Sequence, residues 1–519
     1  MKKQGVIAAG HEQTAHAAAV VLDAGGNAFD AVLAALLAAS VAEPVLASLG
    51  GGGFLLARPA GEKPVLYDFF AQTPKSRRHD DESELRPIIA DFGEAQQEFH
   101  IGMASMATPG VVKGLFGAHA DLGRMPMSTI VEPARKLATD GVVLNSLQAY
   151  IFTIVEKIFT SNDDCLAIFG SHENPGQLLG DGEVLKNPEY ADVLDVLSRE
   201  GEGLFYRGEI AQTIADDSRT GGGHLGLEDL SGYELIRRNP LQLSHGGFGL
   251  LTNPPPSTGG LLIAFALGLL GDGGLGQHVF ASPSHVGMLA NVLDLTNEAR
   301  MDSGLTDGDV SQAADKLLSK QFQDLYRDRV SGHPRARRGT THISVIDGDG
   351  NAAALTVSNG EGSAYIVPGT GVMINNMLGE EDINPLGLGQ WPQDIRMSSM
   401  MSPSLLLAPD GGITALGSGG SNRIRSAVLQ VVLNLTDFKM GLEQAVESPR
   451  LHMEGGLLSI EDGFPDESIA TLGAQFPDNK VWSERNLFFG GVHAVRYDEK
   501  TRALEGFGDS RRGGVSIKV

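Results

Sequence analysis

The chain has 519 residues, 42% of them hydrophobic and 20% charged, the composition of a folded protein too long for one ordinary core, so one large layered unit or two domains are expected. A net charge of −24, with no basic run, argues against nucleic acid or an anionic membrane surface as a partner. Cys165 is the single cysteine, which excludes an internal disulfide and a cysteine-based metal site.

The opening stretch Met1-Lys2-Lys3-Gln4-Gly5-Val6-Ile7-Ala8-Ala9-Gly10 loses its apolar character before reaching signal-peptide length. It predicts a cytoplasmic protein, or a periplasmic one if a leader has been removed. No window approaches ~20 uninterrupted apolar residues, so a membrane-spanning helix is not expected. Residues 14–22 and 28–41 read as Ala-rich helices around the turn Ala24-Gly25-Gly26-Asn27. Glu43-Pro44 follows, then Gly50, Gly51, Gly52 and Gly53 ahead of Phe54-Leu55-Leu56. These glycines lack the spacing of a dinucleotide loop and the Lys-Ser/Thr of a phosphate loop, so they predict a tight bend where backbones meet. Residues 140–320 read as mostly helical, interrupted by Asn253-Pro254-Pro255-Pro256-Ser257-Thr258-Gly259-Gly260. Residues 331–339 are basic and contain Pro334, which predicts an exposed, extended linker.

The β-branched run from His342 to Ile346, the turn Gly348-Asp349-Gly350-Asn351 and residues 352–358 predict a hairpin of two strands. Beyond it come a Gly/Ser-rich loop and a helix predicted over residues 426–438. Thr340 directly follows Gly339 at the head of this hairpin. A hydroxyl there is ordinarily structural, and inside an intact chain it has no base of its own. If the Gly339–Thr340 bond were cut, the freed α-amine would sit beside Oγ and titrate near pH ~8, close enough to neutrality to take its proton. Gly339 suits such a junction because it adopts unusual dihedrals and admits close approach.

Six blocks in one order give this arrangement its meaning. They are Gly25-Gly26-Asn27-Ala28-Phe29-Asp30-Ala31 with Glu43-Pro44; Thr108-Pro109-Gly110-Val111-Val112-Lys113-Gly114 with Pro133-Ala134-Arg135-Lys136-Leu137-Ala138; and residues 254–260. Thr340-Thr341-His342, then Ser398-Ser399-Met400-Met401-Ser402-Pro403, then Gly417-Ser418-Gly419-Gly420-Ser421 complete the series. In this order they resemble the γ-glutamyltranspeptidase family, members of the Ntn-hydrolases. The resemblance implies an α+β fold, a four-layer αββα sandwich with two central antiparallel sheets. It also implies autocleavage between Gly339 and Thr340, giving a large fragment (1–339) and a small catalytic one (340–519). These would remain together as a heterodimer, with higher oligomers open, and no cofactor or metal is called for.

The roles implied by the resemblance follow residue by residue. Thr340 takes the nucleophile position, and the hydroxyls of Thr356 and Ser358 orient it. Gly420 and Ser421 supply main-chain N–H donors to the oxyanion, each such donor typically lowering the barrier by ~3 kcal/mol. Ser398 and Ser399 match the pair that binds a substrate α-carboxylate, while Asn359 and Glu380 match positions that hold its α-amino group. Two positions depart from the family. Asp68-Phe69 is followed by Phe70, where transpeptidases carry a carboxylate-clamping arginine, a substitution no phenyl ring makes good. Met377 stands where a Gln or Glu is usual. The segment from Asp382 to Met397 is also short for the family's lid-bearing loop. If Phe70 lines the pocket it favours an apolar portion of the ligand, and Phe70→Arg would then improve γ-glutamyl binding. The expected activity is cleavage of γ-glutamyl amides, glutathione by default, through an ester on Thr340 with transfer to water or an amine. Two alternatives stand beside it: an acylase for a non-γ-glutamyl amide, like the related cephalosporin acylases, and a non-cleaving relative that only binds a ligand.

Overall fold

In the computed structural model, residues 4–91, 96–271, 273–305, 310–327, 340–380, 383–384 and 386–519 are described. Gly339, the basic linker before it and Asp382 lie outside the described residues. Thirteen strands build the two sheets: β1 (Gly5–Ala9), β2 (Gly52–Arg58), β3 (Val65–Phe69), β4 (Ile236–Arg238), β5 (Leu241–His245), β6 (Phe248–Thr252), β7 (Thr341–Asp347), β8 (Ala352–Ser358), β9 (Ser404–Leu407), β10 (Ile413–Gly419), β11 (Gly491–Tyr497), β12 (Leu504–Phe507) and β13 (Val515–Lys518). The first sheet runs β13-β1-β7-β8-β2-β3-β4 and the second β12-β11-β10-β9-β6-β5, every neighbouring pair antiparallel.

Helices α1 (Glu12–Asp23), α2 (Ala28–Ala42), α3 (Val111–Leu122), α4 (Met127–Asp140) and α5 (Pro188–Glu200) cover the outer face of the first sheet. Helices α6 (Gly259–Leu270), α7 (Pro283–Ser303) and α8 (Arg423–Thr436) lie on the second. The result is an αββα sandwich. Period-2 alternation sorts the side chains into two cores. From β2, Leu55 and Ala57 join the cluster under α1–α5, whereas Phe54 and Leu56 face the other sheet. With both faces covered, β2 is apolar from Gly52 to Ala57, whereas β7 buries His342 and Ser344 among its apolar residues.

α2 shows how the chain encodes this layer. Asn27 Oδ1 accepts from the N–H groups of Phe29 and Asp30, while Asp30 Oδ2 accepts from the Asn27 N–H, a closed capping box. Asp347, far along the chain at the end of β7, accepts from the Ala28 N–H at 3.0 Å. Apart from Ser40 the whole helix is buried, which its run of alanines permits. The four glycines that follow are the predicted tight bend. A methyl group on Gly50 would sit 2.3 Å from the Met373 carbonyl oxygen, on Gly51 2.4 Å from that of Ser358, and on Gly53 2.5 Å from that of Thr356.

Two sequence expectations are corrected. Residues 236–252 form three strands inside the stretch read as helical, because short two-faced strands leave little periodicity to read. The helix expected over residues 426–438 runs from Arg423 to Thr436, starting directly after the glycine loop.

Candidate active site

The two sheets end side by side, and there the Thr340 block meets the four-glycine bend and the block of residues 417–421, while the block of residues 25–31 lies at the opposite end of β7 on Asp347. β7 and β8 pair with His342 opposite Thr356 and Thr341 opposite Val357; one further step along the register sets Ser358 across from Thr340. Gly52 pairs with Ser358 and Gly53 with Phe69, so the starts of β7 and β2 and the ends of β8 and β3 share one edge. From the second sheet, β10 delivers Gly419 to the same place.

Thr340 is 4% exposed. Gly419 packs so closely on it that a methyl group there would lie 1.7 Å from the Thr340 carbonyl oxygen. Gly420 (φ +120°) and Ser421 (φ +50°) then turn the chain into α8. A left-handed serine is strained and is held by its surroundings. Ser418 Oγ donates to the Gly419 carbonyl at 2.8 Å and accepts the Gly491 N–H at 3.0 Å, anchoring the loop from behind. Main-chain N–H groups at a helix N-terminus carry partial positive charge, the electrostatics an oxyanion requires.

Thr356 Oγ1 lies 2.7 Å from His342 Nδ1, and His342 Nε2 lies 2.9 Å from Ser344 Oγ, which donates to the His493 carbonyl at 3.1 Å. That chain fixes the tautomer: Nε2 carries the proton and Nδ1 accepts from Thr356. Burial holds His342 well below its usual pKa, with His493 adding to the effect, so the ring is neutral. Ser358 Oγ accepts the Gly360 N–H at 3.1 Å.

Asn359 is fully buried beside Ser358, and neither polar atom of its side chain has a hydrogen-bond partner among the described residues. Glu380 approaches from the neighbouring turn: a methyl group on Gly360 would lie 2.4 Å from its Oε1 and 2.0 Å from Asn376 Oδ1. Ser398 is half-buried and Ser399 buried. The Ser399 carbonyl accepts from Ser257 Oγ at 2.7 Å and the Thr258 N–H at 2.9 Å. The Pro-rich third block and the serine block are therefore one interlocked structure.

Phe70 is 1% exposed and stacks on Phe54 between the sheets, with ring centroids 5.5 Å apart. Its ring is packing, not an open pocket wall. The cation at that corner is one the sequence reading missed. Arg396 Nη1 donates to Asp68 Oδ1 (3.1 Å), to the Asp68 and Phe70 carbonyls (both 3.0 Å) and to Tyr233 Oη (2.6 Å), while Nη2 donates to the Glu234 carbonyl at 2.6 Å. Both of its Nη nitrogens thus serve the fold. Arg77 and Arg78 instead serve surface contacts with Asp80, Gly223 and Arg219.

Glu43 and Arg512 were also missed as site residues. Glu43 accepts from Thr14 Oγ1 at 2.7 Å and from Thr341 Oγ1 at 2.8 Å; burial raises its pKa, and these hydroxyls act against that rise. Arg512 Nη1 donates to the Thr340 carbonyl at 3.1 Å, and burial lowers its pKa to about 10. The Glu-Pro pair was the only sequence signal for the first residue, and the second had none.

An αββα sandwich of two antiparallel sheets between helical layers is the Ntn-hydrolase fold. Residues 14–519 match the family described as Gamma-glutamyltranspeptidase, and the chain belongs to that family of hydrolases and transferases. It is 30% identical to the Acylase ACY 1 proenzyme of Pseudomonas sp. (strain V22) over 510 residues, covering 95% of this chain and 90% of that one. It is 28% identical to the glutathione hydrolase proenzyme of Escherichia coli (strain K12), covering 91% of this chain and 85% of that one. In structure it is similar to the cephalosporin acylase from Bacillus halodurans, with a TM-score of 0.84 over 99% of this chain and 96% of that one at 23% identity. No helix among the described residues is long and apolar enough to cross a membrane.

Proposed function

We propose that the chain is a self-processing N-terminal-threonine amidase and acyltransferase that cleaves γ-glutamyl amides. The observation that carries this reading is the position of Thr340, buried at the head of β7 with Gly419, which opens the loop to Gly420 and Ser421, packed on its carbonyl. Cleavage after Gly339 turns the Thr340 nitrogen from an amide into an amine that takes the Oγ proton. Oγ then attacks the amide carbonyl of the substrate. The main-chain N–H groups of Gly420 and Ser421 receive the oxyanion, the protonated amine passes its proton to the leaving amine, and an ester remains on Thr340 for water or an acceptor amine to resolve. Ser358 orients Thr340 directly, and Thr356, hydrogen-bonded to His342 two residues beyond Thr340, steadies the strand that carries it. Asn359, whose buried carboxamide has no partner among the described residues, and Glu380 hold the donor's amino group, and Ser398 and Ser399 its carboxylate. The two fragments stay associated as one heterodimer.

A second reading is favoured by Arg396 and Phe70. With Phe70 in the core and both Arg396 Nη nitrogens on protein acceptors, neither position offers the usual arginine grip on an α-carboxylate. A non-γ-glutamyl acyl amide, the substrate class of an acylase, then becomes the donor. Intact mass of denatured wild type and Thr340→Ala, followed by turnover of γ-glutamyl and glutaryl anilides, tests both readings. Two wild-type fragments split at Gly339–Thr340 and one mutant chain are expected. A wild type that stays whole refutes the processing step, and turnover of the glutaryl anilide alone refutes the γ-glutamyl donor.

A further inference from the structure

Arg512 makes an unusual contact for a buried cation. It is 8% exposed, and its Nη1 hydrogen-bonds a neutral main-chain oxygen, that of Thr340, at 3.1 Å, while Nη2 reaches the Leu487 carbonyl at 3.3 Å. Burying a guanidinium for two carbonyl contacts is unfavourable unless those contacts are needed. The next residue is held from the opposite fragment. Thr341 Oγ1 donates to Glu43 Oε2 at 2.8 Å, and Glu43 Oε1 takes a second hydroxyl, Thr14 Oγ1, at 2.7 Å. Gly10 packs closely against this pair: a methyl group on it would lie 2.8 Å from Glu43 Oε2 and 3.3 Å from both Thr341 Oγ1 and His493 Nε2. Arg512, Glu43, Thr340, Thr341, Gln148 and His493 line one small cavity on the side of the strand head facing α2.

A newly cut chain end normally frays. Here that end carries the nucleophile, and a misplacement of about 1 Å can lower a rate by about 100-fold. We propose that Arg512 and Glu43 are positioning residues that pin the freed end of β7, Arg512 through the Thr340 carbonyl and Glu43 through the Thr341 hydroxyl. The inference rests on the reading of Thr340 as the nucleophile. The brace spans the cut, since Glu43 belongs to the large fragment and Arg512 to the small one. It acts after cleavage, when the peptide bond to Gly339 no longer holds Thr340 in line. Neither residue touches the substrate.

The test uses the full-length chain with a protease recognition sequence ending directly before Thr340, so that every variant is cut to the same N-terminus in vitro. The probe is whichever of the γ-glutamyl or glutaryl anilides the wild type turns over. Arg512→Gln is expected to lower kcat roughly 100-fold with KM within about threefold, because the reacting atoms and not the pocket are displaced. Arg512→Lys, which keeps a charged donor, is expected to recover at least a tenth of wild-type kcat. Thr341→Val keeps the shape of a strand residue and removes only the Glu43 hydrogen bond, so it covers the case in which Arg512→Gln fails to fold. It is expected to lower kcat about tenfold at unchanged KM. Cut variants with wild-type kcat, or losses confined to KM, overturn the brace. A correctly cut wild type with no turnover overturns the nucleophile assignment, and the brace with it.

Discussion

Thr340, Phe70 and Asn359 show how far residue type alone predicts chemistry. Thr340→Ala removes Oγ, so the chain is expected to stay at full length on denaturing mass spectrometry and to show no turnover. Phe70 was read as a pocket residue because it follows Asp-Phe, yet its ring lies between the sheets on Phe54. Phe70→Arg therefore puts a cation in a packed core. It is expected to destabilise the protein by several kcal/mol rather than to tighten binding, seen as a fall of many degrees in Tm with no fall in KM. Alternation along β3 carries the reason: Tyr67 and Phe69 face the helices, which leaves the opposite face to Phe70. The family resemblance alone points to Asn359, and only the folded chain shows its carboxamide to be buried and without a hydrogen-bond partner among the described residues.

At the scale of elements, the site is a strand, a glycine loop and a helix start pressed against a second strand. Gly419 is required by contact, because a methyl group would lie 1.7 Å from the Thr340 carbonyl oxygen. Gly419→Ala is expected to stop self-cleavage within an overnight incubation while far-UV circular dichroism stays near wild type, since overpacking of this kind costs about 1–3 kcal/mol and displaces the two strand ends. Behind the loop, Asp509 accepts from Arg450 Nη2 at 2.6 Å and the Val492 N–H at 2.8 Å, and Arg511 grips Glu461 through Nε and Nη2 at 2.6 and 2.7 Å. This network fixes the turn that presents Arg512 and the start of β11. Burial acts to raise the Asp509 pKa, but the guanidiniums of Arg450 and Arg511 more than offset it and hold the carboxyl at about 2. A depressed folded pKa stabilises the fold above the unfolded value. That contribution, about 2 kcal/mol, is present above pH ~4 and lost as pH falls from there toward 2. Asp509→Asn leaves two buried guanidiniums without this partner and is expected to cost roughly 3–5 kcal/mol at neutral pH. Its urea midpoint is also expected to vary less than that of the wild type between pH 4 and pH 2.

For the whole molecule, the decisive fact is interleaving. In the first sheet β7, β8 and β13 come from residues after 339 and β1, β2, β3 and β4 from residues before it, with β7 lying between β1 and β8. Asp347 caps α2 and Glu43 holds Thr341, so each segment completes the other's hydrogen bonds. Neither segment contains a whole sheet. Residues 340–519 expressed alone are accordingly expected to lack a cooperative thermal transition, and to gain one only when produced together with residues 1–339.

The sequence by itself determined what lies within a few residues or in the order of the blocks: the hairpin of β7 and β8, the bend of four glycines, the turn ending at Asn27, the family and its sandwich, and the threonine at the strand head. Turn chemistry, strand alternation and capping act over two to four residues, so they leave a readable mark. The tertiary structure alone decided that Arg512 meets Thr340 across 172 residues, that Arg396 braces Phe70 across 326, and that Phe70 faces the other sheet. Those contacts follow from how two sheets and their helices pack, and a guanidinium that seeks a distant carbonyl imposes no pattern on its neighbours in the chain.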